Sequence, residues 1–207
     1  MNEDNLLEGL GKQVVLGLSC VGYTDLFGPA VTSCVCLSRE DLERILPVIT
    51  MNNADRSCDA SAITETALTI KSLIAPDQQE FVNIYPYKFN ELYMVEGNAE
   101  WIARWASKKV LCELSPQSLC LDNATSGGMI PWDIVHRVSY LLGRDRYLST
   151  LKEISQRFGF GIDLPEGQTE KVKEIAKAFF RQFGRQKLAY VAKLNLISEA
   201  IDANDIG

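Results

Sequence analysis

Two short apolar stretches with a turn-rich segment between them set the terms for the whole chain. Residues 13–18 (Gln-Val-Val-Leu-Gly-Leu) and 30–37 (Ala-Val-Thr-Ser-Cys-Val-Cys-Leu) are β-branched and apolar, and Gly22 and Gly28-Pro29 punctuate the interval between them. Stretches this short, bounded by turn residues, predict two buried strands running close together. Strands buried in this way need helices to cover them. The spacing predicts helices over 39–49, with Ser38 as N-cap, and over 62–74, 98–114, 132–158, 168–183 and 185–201. Residues 80–85 read as a strand ended by Pro86, and 118–121 as a short strand running into Asp122. Residues 50–61 are polar and irregular, and 123–131 form a Gly-rich loop. Strands first, then mixed elements, then helices argue for an α/β domain with a helical C-terminal part.

Length and charge narrow the classes. With 207 residues, 46% hydrophobic, the chain is expected to form one domain over 1–207, with its core over 13–160 and C-terminal helices over 161–201. No apolar run reaches the roughly 18 residues of a membrane span, and the acidic start Met-Asn-Glu-Asp-Asn is unlike a secretory signal. A cytoplasmic location without membrane contact is expected. The six cysteines show no Cys-x2-Cys pair and the only histidine is His136, so buried free thiols are expected rather than a zinc site. Cys34 and Cys36 should share a strand face and pack as small hydrophobes. Residues 1–136 hold 9 Lys+Arg and 18 Asp+Glu, residues 137–193 hold 12 and 6, and the last 14 residues hold 0 and 3; these sum to the net −6. A net acidic chain is no general polyanion binder, but its basic C-terminal third can form a local phosphate-binding face. Trp101 and Trp105, four apart, are expected to face the core. The Lys171, Lys173, Lys177 and Arg181 series, with Glu170 and Glu174, reads as a solvated helix face.

The segment Gly17-Leu-Ser-Cys-Val-Gly-Tyr-Thr-Asp-Leu-Phe-Gly-Pro29 resembles the opening signature of the type 2 ribonucleases H, in its ribonuclease HIII form G-x-D-E-V-G-x-G-D-x-F-G-P. The match holds at Gly17, Val21, Gly22, Asp25, Phe27, Gly28 and Pro29 without a gap. Three further segments follow in the family's order. Lys88-Phe-Asn-Glu-Leu-Tyr93 resembles its K-Y-N-E-L stretch. Arg144-Asp-Arg-Tyr-Leu148 with Phe158-Gly-Phe160 resembles the helix ending in a Y-G-F/I turn. Leu164-Pro-Glu-Gly167 through Val191-Ala-Lys-Leu194 resembles the closing L-P-x-G … V-A-K-L stretch. The resemblance runs from about residue 13 to 195. It implies a ribonuclease H-like α/β fold, a mixed central sheet flanked by helices, with no room for the family's separate N-terminal substrate-binding domain.

The resemblance also implies a chemistry: cleavage of the RNA strand of RNA–DNA hybrids with two Mg²⁺ ions held by four carboxylates. At the positions of those acids this chain has Ser19, Cys20, Asp122 and Met129, of which only Asp122 is acidic. Serine offers a neutral hydroxyl and cysteine a soft sulfur that Mg²⁺ disfavours. Asp133 is a substitute ligand to consider, although an acid at a helix start is favoured by the dipole alone. The family's glycine-lined substrate turn reads Gly22-Tyr23-Thr24, with the second glycine lost. Gly22, Tyr23, Thr24 and Arg144 are the nucleic-acid contacts the resemblance implies. Asp55-Arg-Ser-Cys-Asp59 keeps an Asp and a Ser of a phosphate-contact segment but none of its lysines. Ser19, His136 and Asp122 lack any triad spacing.

The leading expectation is a pseudoenzyme: a catalytically inactive, ribonuclease HIII-like module that binds nucleic acid, such as an RNA–DNA hybrid, or acts as a scaffold. No cofactor is expected. The first alternative is a divergent nuclease that uses Mg²⁺ or Mn²⁺ on Asp122 with Asp25, Asp133 or another acid. The second is a protein-interaction module or homodimer without nucleic acid.

Overall fold

The computed structural model describes residues 14–49, 59–118, 132–160, 164–167 and 169–197. Strand β1 (Val15–Val21) and strand β2 (Ala30–Leu37) occupy the two opening apolar stretches, and β3 (Gln79–Ile84) completes an antiparallel sheet in the order β1-β2-β3. The burial patterns follow from that order. Every residue of β2 is buried, as a central strand covered on both faces requires, while β1 alternates and the edge strand β3 is half-buried. Cys34 and Cys36 are buried side by side, and burial pushes the Cys34 thiol up to about 12, with Cys36 adding to the effect.

Helix α1 (Arg39–Ile45) starts where Ser38 and Asp41 close a capping box: Asp41 N–H donates to Ser38 Oγ at 3.2 Å and Ser38 N–H to Asp41 Oδ2 at 2.9 Å. It is shorter than the expected 39–49. Pro47 has no N–H and its ring crowds the preceding turn, so the chain tightens into a 3₁₀ turn over Leu46–Val48. Helix α2 spans Ala60–Leu73, α4 Ala99–Ser118 and α5 Trp132–Arg157. Between β3 and α4 lies α3 (Pro86–Glu96), a helix absent from the expected set. Its signal was present: Pro86 sits at the first helical position and Gly97 ends the helix at φ +66°, the usual asymmetry of helix ends. Of the strand expected over 118–121, Ser118 belongs to α4 and the rest lies outside the described residues.

Of the helix expected over 185–201, the described residues are helical only to Leu188. Helix α6 (Glu170–Leu188) is interrupted at Gly184, at φ 75° and ψ 172°, and ends at Leu188. Ala192 then forms a β-bridge with Phe27, and Leu194–Leu196 is a 3₁₀ turn. Asn90 explains the break from helix. Its Nδ2 donates to the carbonyls of Ala189 (3.0 Å) and Ala192 (2.9 Å), and its Oδ1 accepts from Leu194 N–H at 2.8 Å. These tertiary bonds satisfy a backbone that would otherwise need helical partners.

The chain divides into two compact units: one from Met1–Ser19, Thr32–Val82 and Ala106–Asp145, the other from Cys20–Val31, Asn83–Trp105 and Arg146–Gly207. The core of the first gathers Val15, Val35 and Leu37 of the sheet, Leu42 and Ile45 of α1, Ala67 and Ile70 of α2, and Val135, Val138, Leu141 and Leu142 of α5. The second is aromatic. Phe27 meets Phe160 edge-on at 6.2 Å, Phe160 stacks on Phe179 at 4.7 Å, and Tyr147 OH donates to Phe27 O at 3.4 Å.

Two expectations about side chains are corrected. Trp101 and Trp105 are 39% and 38% exposed, because the buried stripe of α4 is Ile102, Ala106, Val110 and Leu114, one position and about 100° round the helix from the tryptophans. Cys20 and Cys112 are exposed rather than buried; Cys58 and Cys120 lie outside the described residues. Among the described residues no helix is long and apolar enough to cross a membrane.

Candidate functional site

Adjacent residues on a strand point to opposite faces, and Ser19 and Cys20 divide accordingly. Ser19 is turned inward at 4% exposure, while Cys20 is exposed. Ser19 enters a closed network of hydroxyls between the sheet and α5. Its Oγ lies 3.0 Å from Ser33 Oγ; Ser33 Oγ donates to Ser139 O at 2.7 Å; Ser139 Oγ donates to Ser33 O at 2.9 Å, with the two hydroxyl oxygens 3.0 Å apart. Each hydroxyl has one proton. Those of Ser33 and Ser139 go to carbonyls, so Ser19 donates to Ser33. Gly143, one turn beyond Ser139, lets the helix come this close: a Cβ there would lie 2.6 Å from Ser33 Oγ and 3.5 Å from Ser19 Oγ.

His136 belongs to the same unit and is exposed. Its Nδ1 lies 2.6 Å from Leu18 O. A carbonyl only accepts, so Nδ1 carries the proton and donates. The ring is anchored to the backbone, and the Ser19 proton goes to Ser33, so these two side chains form no nucleophile–base pair. Arg144 is buried at 5% exposure, away from the surface, beside Asp145, whose Oδ2 accepts from Lys71 Nζ at 2.7 Å. Asp133 sits in the first turn of α5. Asp122, Met129 and the segment 55–58 lie outside the described residues.

The turn after β1 belongs to the second unit. Asp25 N–H donates to Gly22 O at 3.3 Å. Gly22 holds φ +77°, and a Cβ there would meet Pro29 O at 2.5 Å, so only glycine fits. Tyr23 is half-buried with its ring edge-on to Phe89 at 6.2 Å, and Thr24 is exposed. Beneath the turn lies Lys193, which the sequence reading used only as part of a motif. Fully buried, its Nζ donates to Asp25 O at 2.9 Å and Gly28 O at 2.7 Å. Backbone bonds tie down the same segment: Gly28 N to Val191 O at 3.1 Å and Lys193 N to Leu26 O at 2.9 Å. Burial pushes the Lys193 ammonium down to about 7, opposed by the Asp25 carboxylate. The one sequence signal for this role is a lone cation inside the run Tyr190-Val-Ala-Lys-Leu194.

No family model matches the chain. It is 25% identical over 203 residues to ribonuclease HIII of Chlamydia felis, covering 86% of this chain and 66% of that protein. It is 26% identical over 189 residues to ribonuclease HIII of Aquifex aeolicus, covering 84% and 69%. The crystal structure of Bst-RNase HIII in complex with Mn²⁺ matches its fold at a TM-score of 0.75 and 17% identity, over 92% of this chain and 70% of that one. The chain is related to the type 2 ribonucleases H. It spans about two thirds of the length of the curated relatives it matches, and its fold is ribonuclease H-like.

That relation makes the hydroxyl network the informative part of the site. Two Mg²⁺ ions need several oxygen anions around them. At Ser19, where the resemblance implies an acid, stands a neutral hydroxyl whose proton goes to Ser33, and at Cys20, the other implied position on this strand, an exposed thiol. Among the described residues no group of three or more His, Cys, Asp or Glu could hold a metal ion.

Proposed function

We propose that this protein is a non-catalytic relative of ribonuclease HIII that binds nucleic acid, with the RNA–DNA hybrid as its ligand. The observation that carries the proposal is the Ser19–Ser33–Ser139 network. Where the family's chemistry asks for a carboxylate turned toward metal, this chain has a neutral side chain turned into a satisfied, buried cluster. Packed acids repel one another when no metal is present, and a hydroxyl in their place removes that strain. The tied-down turn from Gly22 to Pro29 supports the binding half of the reading, because a ligand surface is kept rigid while the charge is given up.

The test is a titration of the protein into a labelled RNA–DNA hybrid, with duplex DNA as control, with and without Mg²⁺ or Mn²⁺, at two salt concentrations. Salt-sensitive binding of the hybrid without strand cleavage is the expected result. Metal-dependent cleavage that Asp122→Ala abolishes would overturn the non-catalytic half, and absence of hybrid binding would overturn the other.

A further inference from the structure

The second unit carries an exposed aromatic pair that the reading above does not use. Tyr87, in the first turn of α3, and Tyr190, just past α6, lie ring on ring, with centroids 4.8 Å apart and planes within 12°. Aromatic pairs of this kind usually fill a core, yet these two are 44% and 49% exposed. Phe158, at the end of α5, stands 6.4 Å from Tyr190.

The charge around the stack is positive. The Arg157 guanidinium lies 5.9 Å from the Phe158 ring centre, and the Lys187 ammonium, one turn before Tyr190, lies 5.2 Å from that of Phe183. From Ile175 to Ser198 the chain has no acidic residue but five basic ones, of which Lys193 is buried. The carboxylate at the stack, Glu91, is already engaged: it accepts from Lys88 Nζ at 2.9 Å.

We propose that Tyr87 and Tyr190, flanked by Arg157 and Lys187, form a binding surface for single-stranded nucleic acid. Flat exposed rings pair with the faces of bases. In a duplex those faces are closed by neighbouring base pairs, so the rings select bases that are unpaired and unstacked. The neighbouring cations take the phosphates on either side.

The experiment measures anisotropy of short end-labelled single-stranded RNA and DNA, and of the hybrid of the same sequence, without metal, across a salt series. The wild-type protein is expected to bind the single strands. The double variant Tyr87→Ala/Tyr190→Ala should weaken that binding by about tenfold or more while its thermal midpoint and its affinity for the hybrid stay at wild-type values. Tyr190→Phe, which keeps the ring face, should bind normally. Arg157→Gln/Lys187→Gln should flatten the slope of log K against log salt by about 1.4 for two lost phosphate contacts, a readout that survives if the alanine variant folds poorly. Absence of single-strand binding by the wild type, or binding insensitive to both double variants, overturns the proposal. The hybrid arm reports separately on the function proposed above.

Discussion

The three serines carry the clearest single-residue consequences. Ser33 is the hub, accepting from Ser19 and bonding both the hydroxyl and the carbonyl of Ser139. Ser33→Ala leaves the buried Ser19 hydroxyl without its acceptor and removes the side-chain donor to Ser139 O, so it should cost about 1–3 kcal/mol in urea unfolding. Gly143→Ala gains up to about 1 kcal/mol of helix propensity, but its Cβ would press on Ser33 Oγ. The single change is expected to destabilise. In a Ser33→Ala background that oxygen is gone, so the two losses should add to less than their sum, which a double-mutant cycle reads directly. Lys193 gives a pH signature. Its folded-state value of about 7 lies below the roughly 10.4 of an unfolded lysine. Between those values the unfolded chain holds a proton that the folded chain has released, so stability rises with pH across the window. Urea midpoints from pH 7 to 10 should rise more steeply for the wild type than for Lys193→Met, the difference corresponding to one proton. Equal slopes would show that the two carbonyls keep the ammonium charged.

At the scale of elements, Asn90 substitutes for secondary structure. One side chain holds three backbone groups of the segment after α6, so Asn90→Ala should cost about 2–4 kcal/mol, at roughly 1 kcal/mol per bond plus the exposed partners. The loss should appear first as faster amide exchange at Leu194. The same residue shows why part of the fold was hidden in the sequence. The strands β1, β2 and β3, the cap at Ser38 and the helices α2 and α5 follow from local pattern: apolar runs, an N-cap followed by an acid, long amphipathic spacing. The segment 185–201 has a helical pattern too. The chain leaves the helix after Leu188 because a side chain a hundred residues earlier bonds the backbone of 189–194, which no window of local sequence contains. Trp101 and Trp105 misled for a related reason. Their spacing is helical, but four-residue spacing marks any face, and the smaller residues at 102, 106 and 110 take the buried one. The candidate site was legible as identities, since Ser19 and Cys20 stand in plain view where acids are implied. Its closure by Ser33, Ser139 and Gly143 depends on which strand face meets α5, and that is set by packing.

Across the whole molecule, the question is how far this chain stands from a metal-dependent nuclease. The net charge of −6 already works against a polyanion, and two further acids would add to that repulsion. Position 19 is the harder of the two to reverse. An aspartate there would replace one hydroxyl of the cluster, and the protons of the other two, Ser33 and Ser139, are committed to carbonyls, leaving no free donor for a buried carboxylate. Burying an ion with so little compensation is costly, so the carboxyl would take up a proton and lose the charge a metal needs. Position 20 is exposed and would accept glutamate without strain. Ser19→Asp/Cys20→Glu should therefore lower the thermal midpoint, with the loss tracing to Ser19→Asp alone, and should remain unable to cut a labelled RNA–DNA hybrid in Mn²⁺. The measurement is a pair of readings on the same samples: melting curves for the two single variants and the double, and strand cleavage over hours. Cleavage by the double variant would mean that the hydroxyl cluster opens to admit a charged ligand, and that only two substitutions separate this chain from its catalytic relatives. A stable but inactive double variant would locate the remaining deficit at Met129, the other position where the resemblance implies an acid and this chain has none.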